Sequence, residues 1–278
     1  MGGLRNVTRP QLCTPEERER VLHSILNALK EDGRIAGVVL VGSGAVGFQD
    51  EYSDIDLSVV VGSRGNIEAV FREWGERFRK TLPLAGYFET RYAADNLLWG
   101  FLLDNYLEID MGFLCPENLV ARSDRWEVVF DRTGKIGGIL RTTWADKPSV
   151  DIKRVYLENF NGVWHYITHV AICARRGQLL RALYYLNELR DDIVEVAGMR
   201  LGLRTGNYRD VDCFPAVLRR KLEQTLVGRP DRAEIMRALK AATVLFFEEA
   251  EKLERKLGLN NASALKSKML EYLSFFGG

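Results

Sequence analysis

Val38-Val39-Leu40-Val41-Gly42-Ser43-Gly44-Ala45-Val46-Gly47, followed by Ser53-Asp54-Ile55-Asp56-Leu57-Ser58-Val59-Val60-Val61, decides how the rest of the chain is read. An apolar run breaks at a Gly-Ser turn, a polar loop follows, and a second apolar run opens with two carboxylates. Strand side chains alternate between faces, so Asp54 and Asp56 point the same way, one pleat apart. Two carboxylates so placed repel and raise each other's pKa unless a cation lies between them. Hard divalent ions such as Mg²⁺ take oxygen ligands and commonly arrive with phosphates. The Gly-Ser turn offers those phosphates backbone N–H groups and a hydroxyl. The local chemistry is that of a metal and a nucleoside triphosphate.

Two other readings compete. Asp-Ile-Asp is also how a solvated amphipathic strand can begin. The glycines at 42, 44 and 47 also fit G-x-G-x-x-G after a strand, a dinucleotide fingerprint that must open a helix. Here a second β-branched run begins within ten residues of Gly47, which leaves no room for that helix. Taken together, Gly42-Ser43, ten intervening residues and then Asp54-Ile55-Asp56-Leu57 resemble the signature of the DNA polymerase β-like nucleotidyltransferase superfamily. The resemblance implies that Asp54 and Asp56 hold Mg²⁺, that the Gly42-Ser43-Gly44 turn holds the β- and γ-phosphates, and that a third carboxylate lies on a later strand.

Composition sets outer bounds. The chain has 278 residues, 46% hydrophobic and 28% charged, an ordinary globular balance for one large or two modest domains. Cys13, Cys115, Cys173 and Cys213 are scattered without metal-ligand spacing and read as reduced thiols of a cytoplasmic protein. No signal-like or membrane-spanning run is evident. The net charge of +1 hides an asymmetry: residues 149–278 carry 21 Lys and Arg against 16 Asp and Glu, and the first 148 residues carry 18 against 22. An acidic metal-bearing half and a basic half would both suit a triphosphate.

Around the central stretch, Thr14-Pro15-Glu16-Glu17 predicts a helix start with a capping box, continued by Val21, Leu22, Ile25, Leu26 and Leu29 and ended by Gly33. Ile67, Val70, Phe71, Trp74 and Phe78 predict a second helix over 66–82, stopped near Pro83. Tyr87–Tyr92 reads as a weak strand. Leu97–Leu103 and Tyr106–Phe113 read as a hairpin across Asp104-Asn105. In its second strand Glu108 and Asp110 share a face. The superfamily sets its third carboxylate between apolar residues, which selects Asp110 in Ile109-Asp110-Met111, with Glu108 in reserve. Trp126–Gly134 reads as a last strand and turn, and the Gly-, Thr- and Lys-rich stretch from Gly134 to Pro148 marks the domain boundary.

The rest is helical, with helices expected from a Ser149 cap to about Arg176, from Gln178 to Leu201, over Ala216–Val227, from Pro230-Asp231 to Gly258, and over Ala262–Phe276. His165 and His169 stand at i, i+4, a spacing also used for zinc, but no third ligand accompanies them, and aromatic packing or substrate stacking is the better account. The polar run Asn187–Asp192 reads mostly as a solvated helix side.

In layout the chain resembles the bacterial aminoglycoside and lincosamide nucleotidyltransferases. The expected fold is α+β: a nucleotidyltransferase domain over 1–148, with a small mixed sheet and flanking helices, then a helical bundle over 149–278 that completes the nucleotide and acceptor cleft. The resemblance implies Mg²⁺-dependent transfer of AMP from ATP to a hydroxyl of a small acceptor, an antibiotic among the candidates. Asp54, Asp56 and Asp110 would be catalytic and metal-binding, and Gly42, Ser43 and Gly44 would bind the nucleotide. No membrane or nucleic acid is expected as a partner, while a homodimer is compatible with the bundle. The rival readings are the same fold acting on a protein or RNA, and a non-catalytic nucleotide-binding or interaction module. The +5 balance of the second half weighs against a strongly polycationic acceptor.

Overall fold

The computed structural model describes residues 12–48, 50–146 and 150–276. The capping box is formed: the Glu17 N–H donates to Thr14 Oγ1 at 3.2 Å, and the Thr14 N–H donates to the Glu17 carboxylate at 2.9 Å. It starts α1 (Pro15–Glu31), which buries Leu22, Ile25, Leu26 and Leu29. The helix stops at Asp32 in extended conformation, without a left-handed Gly33. Asp32 instead accepts from Arg34 and from the Trp74 indole.

The chain divides into two compact units, 1–148 and 149–278. The first contains β1 (Ile35–Val41), β2 (Ile55–Val61), α2 (Ile67–Thr81), β3 (Leu84–Ala93), β4 (Asn96–Leu103), β5 (Glu108–Leu114), β6 (Trp126–Asp131) and α3 (Ile136–Ala145). The strands form one sheet in the order β3-β4-β5-β2-β1-β6. β2 and β5 pair in parallel, and every other pair is antiparallel. One face sends Leu40, Ile55, Leu57, Val59, Ile109, Met111 and Phe113 into a core shared with α1 and α2. On the other face a smaller cluster joins Val39 and Val60 to Ile136 and Leu140 of α3.

Three expectations for this unit need correction. β3 is ten residues long and mostly exposed, as an edge strand can be. β5 begins at Glu108 and not at Tyr106, because Tyr106 takes φ 65° and the Leu103 N–H closes on the Leu107 carbonyl, making a longer loop. The stretch after Gly134 is not a plain linker but contains α3. Gly137 and Gly138 weaken its helix propensity, and burial of Ile136 and Leu140 overrides that loss.

The second unit is helical: α4 (Ile152–Phe160), α5 (Val163–Arg175), α6 (Leu179–Leu201), α7 (Ala216–Glu223), α8 (Arg232–Leu257) and α9 (Ala262–Ser274). The single helix expected up to Arg176 is two, parted at Asn161-Gly162, where N–H groups reach back to Leu157 and Asn159. Its cap is Asp151, which accepts from the Arg154 N–H at 3.0 Å, while Ser149 lies outside the described residues. α7 stops at Glu223, four residues early, where Thr225 Oγ1 donates to the Leu222 carbonyl. The core runs from Tyr156 and Phe160 through Leu186 and Ile193 to Phe246 and Phe247. Buried Glu254 accepts from Tyr156 Oη and from the N–H groups of Asn261 and Ala262, tying α4, α8 and α9 together. Among the described residues no helix is long and apolar enough to cross a membrane, and all four cysteines are free.

Candidate active site

β1 delivers the chain to Gly42, which turns at φ 68°. A Cβ there would lie 2.5 Å from Asp56 Oδ2. Glycine is therefore required twice, by the left-handed backbone and by the close approach to a carboxylate. Ser43 follows in helical conformation, and Gly44–Val46 form a single 3₁₀ turn closed by Gly47 at φ 87°. Within that turn the Val46 and Phe48 N–H groups donate to the Ser43 carbonyl and the Gly47 N–H donates to the Gly44 carbonyl. Ser43 Oγ is buried and has no hydrogen-bond partner. No α-helix opens here, which removes the dinucleotide reading.

The carboxylates meet through the one parallel strand pair. Asp56 of β2 stands directly beside Asp110 of β5, flanked by the paired Ile55 and Ile109 and by Leu57 and Met111. The alternation turns those apolar neighbours into the core and both aspartates, half-buried, to the opposite face. Asp54, half-buried, precedes β2 by one residue. Asp110 Oδ1 is buried and unpartnered. Burial, and then the negative charges of Glu108 and Asp54, hold the Asp110 carboxyl above the usual carboxylate range. Glu108 is exposed.

Among the described residues no three His, Cys, Asp or Glu side chains are gathered closely enough to hold a metal by themselves. The strands supply two facing aspartates, a third close enough to raise the pKa of one, and a buried oxygen without a donor. That donor set fits Mg²⁺, which keeps several waters and takes phosphate oxygens alongside one or two carboxylates.

The same sheet face holds groups that sequence reading missed. Ser58, one pleat beyond Asp56, lines a cavity of about 140 Å³ with Arg122, Ser123, Arg125 and Trp126. The two arginines lie in a loop with no periodicity to announce them. Asp131, part of the apolar-Asp-basic-x-Gly segment, is occupied structurally. Its carboxylate accepts from the N–H groups of Thr133, Gly134 and Ile136 at 2.8–2.9 Å, starting α3.

A family model for streptomycin adenylyltransferase matches residues 16–275. The chain belongs to that family. It is an adenylyltransferase, which sets aside the non-catalytic reading. Solved structures similar to it include an aminoglycoside 6-adenyltransferase from Bacillus subtilis, at 14% identity and a TM-score of 0.44 over 93% of this chain and 98% of that one. No curated protein sequence matches the chain.

In the second unit of the adenylyltransferase, α6 carries Glu188, Asp191, Asp192 and Glu195, spaced to share one helix face. The expectation of a solvated side fails for part of this run. Asp192 Oδ2 is buried without a partner, and burial, then Glu195, Glu188 and Asp191, push its carboxyl up to about 7. Tyr166 Oη is pushed up by burial and by Asp192 and Glu188. Arg190 is held by Thr225 Oγ1 at 2.9 Å and by the Thr225 carbonyl at 2.8 Å. His165 and His169 pack ring on ring at 3.9 Å, with Tyr185 4.9 Å from His169. Their neighbours are aromatic, as stacking requires.

Proposed function

We propose that the protein transfers AMP from ATP to a hydroxyl of an aminoglycoside antibiotic, with Mg²⁺, and that residues 1–148 form the catalytic domain. The observation that carries the reading is the buried, unpartnered Asp110 oxygen beside Asp56 on the face reached by the Gly42-Ser43 turn. Leaving such an oxygen unsatisfied costs about 1–3 kcal/mol or more for a charged group. A cation or a proton offsets that cost.

Asp54 and Asp56 would hold the metal, Asp110 would complete that site or serve as general base, and the Ser43 hydroxyl and the turn amides of Ser43 and Gly44 would orient the phosphates. Bound there, Mg²⁺ supplies charge neutralisation for the triphosphate and the leaving pyrophosphate. The acceptor oxygen forms its bond to the α-phosphorus. The bond from that phosphorus to the β-bridging oxygen breaks, and pyrophosphate leaves with the electron pair. In the general-base role, with Asp110 outside the metal's ligand set, the hydroxyl proton passes to its carboxylate, which burial and the nearby acids make a stronger base than an ordinary aspartate. Arg122 and Arg125 add positive charge on the same face.

For the acceptor, the family name points to streptomycin, a guanidinium-bearing cation. The +5 of the second half is the wrong scale for judging that, because a ligand responds to local potential. Four carboxylates on one face of α6, with Tyr166 beside them, supply local negative charge and acceptors for charge-assisted hydrogen bonds. ATP as donor and reduced cysteines fit a cytoplasmic enzyme.

The test is transfer of label from α-³²P-ATP to streptomycin, kanamycin or lincomycin, with and without Mg²⁺. Labelled streptomycin that appears only with Mg²⁺ is expected. No transfer to any of the three would sink the antibiotic reading, and transfer undiminished in EDTA would sink the metal.

A further inference from the structure

Arg18 lies in the first turns of α1 and is only 4% exposed, a depth at which arginine normally has a carboxylate partner. Its described polar contacts are carbonyls. Nη1 donates to the Asp50 and Ser53 oxygens, both at 3.0 Å, while Nε is buried and unpartnered. The guanidinium also sits 4.2 Å over the Phe48 ring. All three points of contact belong to the segment that carries the chain from the Gly-Ser turn into β2. Phe48 itself takes a left-handed φ of 43°. Asp50 closes the segment locally, accepting from the Tyr52 N–H at 3.0 Å and from Ser53 Oγ at 2.9 Å.

A buried cation paired only with dipoles costs folding stability that an apolar side chain of similar length would not. Such a departure from local economy is expected where function sets the requirement. The Ser53 carbonyl belongs to the peptide unit whose nitrogen is that of Asp54. Fixing that carbonyl fixes the orientation in which the chain enters β2 and so the direction of the Asp54 side chain. The geometry points to Arg18 as a positioning residue for the catalytic carboxylates: it clamps Phe48, Asp50 and Ser53 so that Asp54 is aimed before any ligand binds. A near-attack arrangement loses rate steeply with small displacements, so the effect falls on turnover and not on acceptor binding. This inference rests on the proposed role of Asp54.

The test compares Arg18→Met, Arg18→Lys and Leu22→Ala, the last a core change on the same helix that lowers stability without touching the clamp. Arg18→Met is expected to lower kcat at least tenfold, leave KM for the acceptor within about twofold, and speed amide hydrogen exchange over residues 50–56. Arg18→Lys should restore part of both losses. Leu22→Ala should lower Tm without faster exchange in that segment and without the kcat loss. Turnover within threefold of wild type in folded Arg18→Met, or equal exchange and rate losses in Leu22→Ala, would overturn the assignment. Should the wild type transfer no AMP, the functional reading fails, and the exchange comparison alone still decides whether Arg18 clamps the segment.

Discussion

Asp110 on β5 and Asp192 on α6 each bury one oxygen without a hydrogen-bond partner, and each sits among other acids that raise its pKa. They arrive there by different routes. The strand carboxylates come from separate stretches of chain, brought side by side by a parallel pairing, with the Gly42-Ser43 turn against Asp56. The helix carboxylates come from one stretch, repeated at i, i+3, i+4 and i+7, with tyrosine as neighbour. A group of acids next to backbone donors suits a metal and a triphosphate. A row of acids along one helix, with an aromatic beside it, suits an extended organic cation. The lesson is that the same electrostatic anomaly predicts different ligands according to what else the backbone presents.

The comparison breaks most sharply at the strand carboxylates proposed to hold the metal. Asp54→Asn or Asp56→Asn should remove several kcal/mol of transition-state stabilisation, roughly a thousandfold in rate, with the fold retained by circular dichroism. Turnover within threefold of wild type in either variant would mean that the strand cluster is not catalytic.

A second test separates the two acids of β5. Asp110→Asn should cost about a hundredfold or more, and Glu108→Gln less than about tenfold. If Asp110 is the base and not a metal ligand, its basic form is lost as pH falls, and the acid limb of kcat/KM should lie above the ordinary carboxylate range. Glu108→Gln removes one of the charges that raise it and should move that limb to lower pH. An unmoved limb, or the reverse ranking of rates, would transfer the role to Glu108.

The helix cluster gives the smallest effect. The folded-state pKa of Asp192, about 7, lies above its unfolded value. Its contribution to stability is therefore fully present below about pH 4 and lost as pH rises through about 7. Asp192→Asn should raise stability at pH 8 by roughly 1–3 kcal/mol after allowance for solvent screening, raise it less at pH 5, and change it little below about pH 4. The same variant should weaken streptomycin binding by calorimetry at pH 8. Unchanged binding would leave α6 a strained face without a ligand role.

Much of this was readable where the signal is local. The Thr14–Glu17 capping box, the Gly42-Ser43 turn and the alternation around Ile55-Asp56-Leu57 and Ile109-Asp110-Met111 depend on neighbours in sequence, and each has the structure its spacing implies. What was missed depends on distant partners. α3 forms over Gly137 and Gly138 only because Ile136 and Leu140 find Val39 and Val60. Arg18 is not among the apolar positions that mark α1, and no pattern within that helix reveals that its guanidinium ends on the carbonyls of residues 50 and 53. Asp191 and Asp192 stand side by side in one polar run, and only the packing of the bundle leaves Asp192 with a buried oxygen.

The parallel register of β2 with β5 also has a consequence for folding. Asp56 and Asp110 are roughly fifty residues apart in sequence, and β3 and β4 lie between them. Contacts of that separation carry a large loop-closure entropy and form late. Local hairpins and helices can exist while the two aspartates are still apart and individually hydrated. Their mutual repulsion enters only when the strands dock, and a slip of one residue would turn the aspartate of the slipped strand into the apolar core. The step that brings the two aspartates together is therefore also the one that the chain's own charges resist, and divalent ions present during folding would ease it.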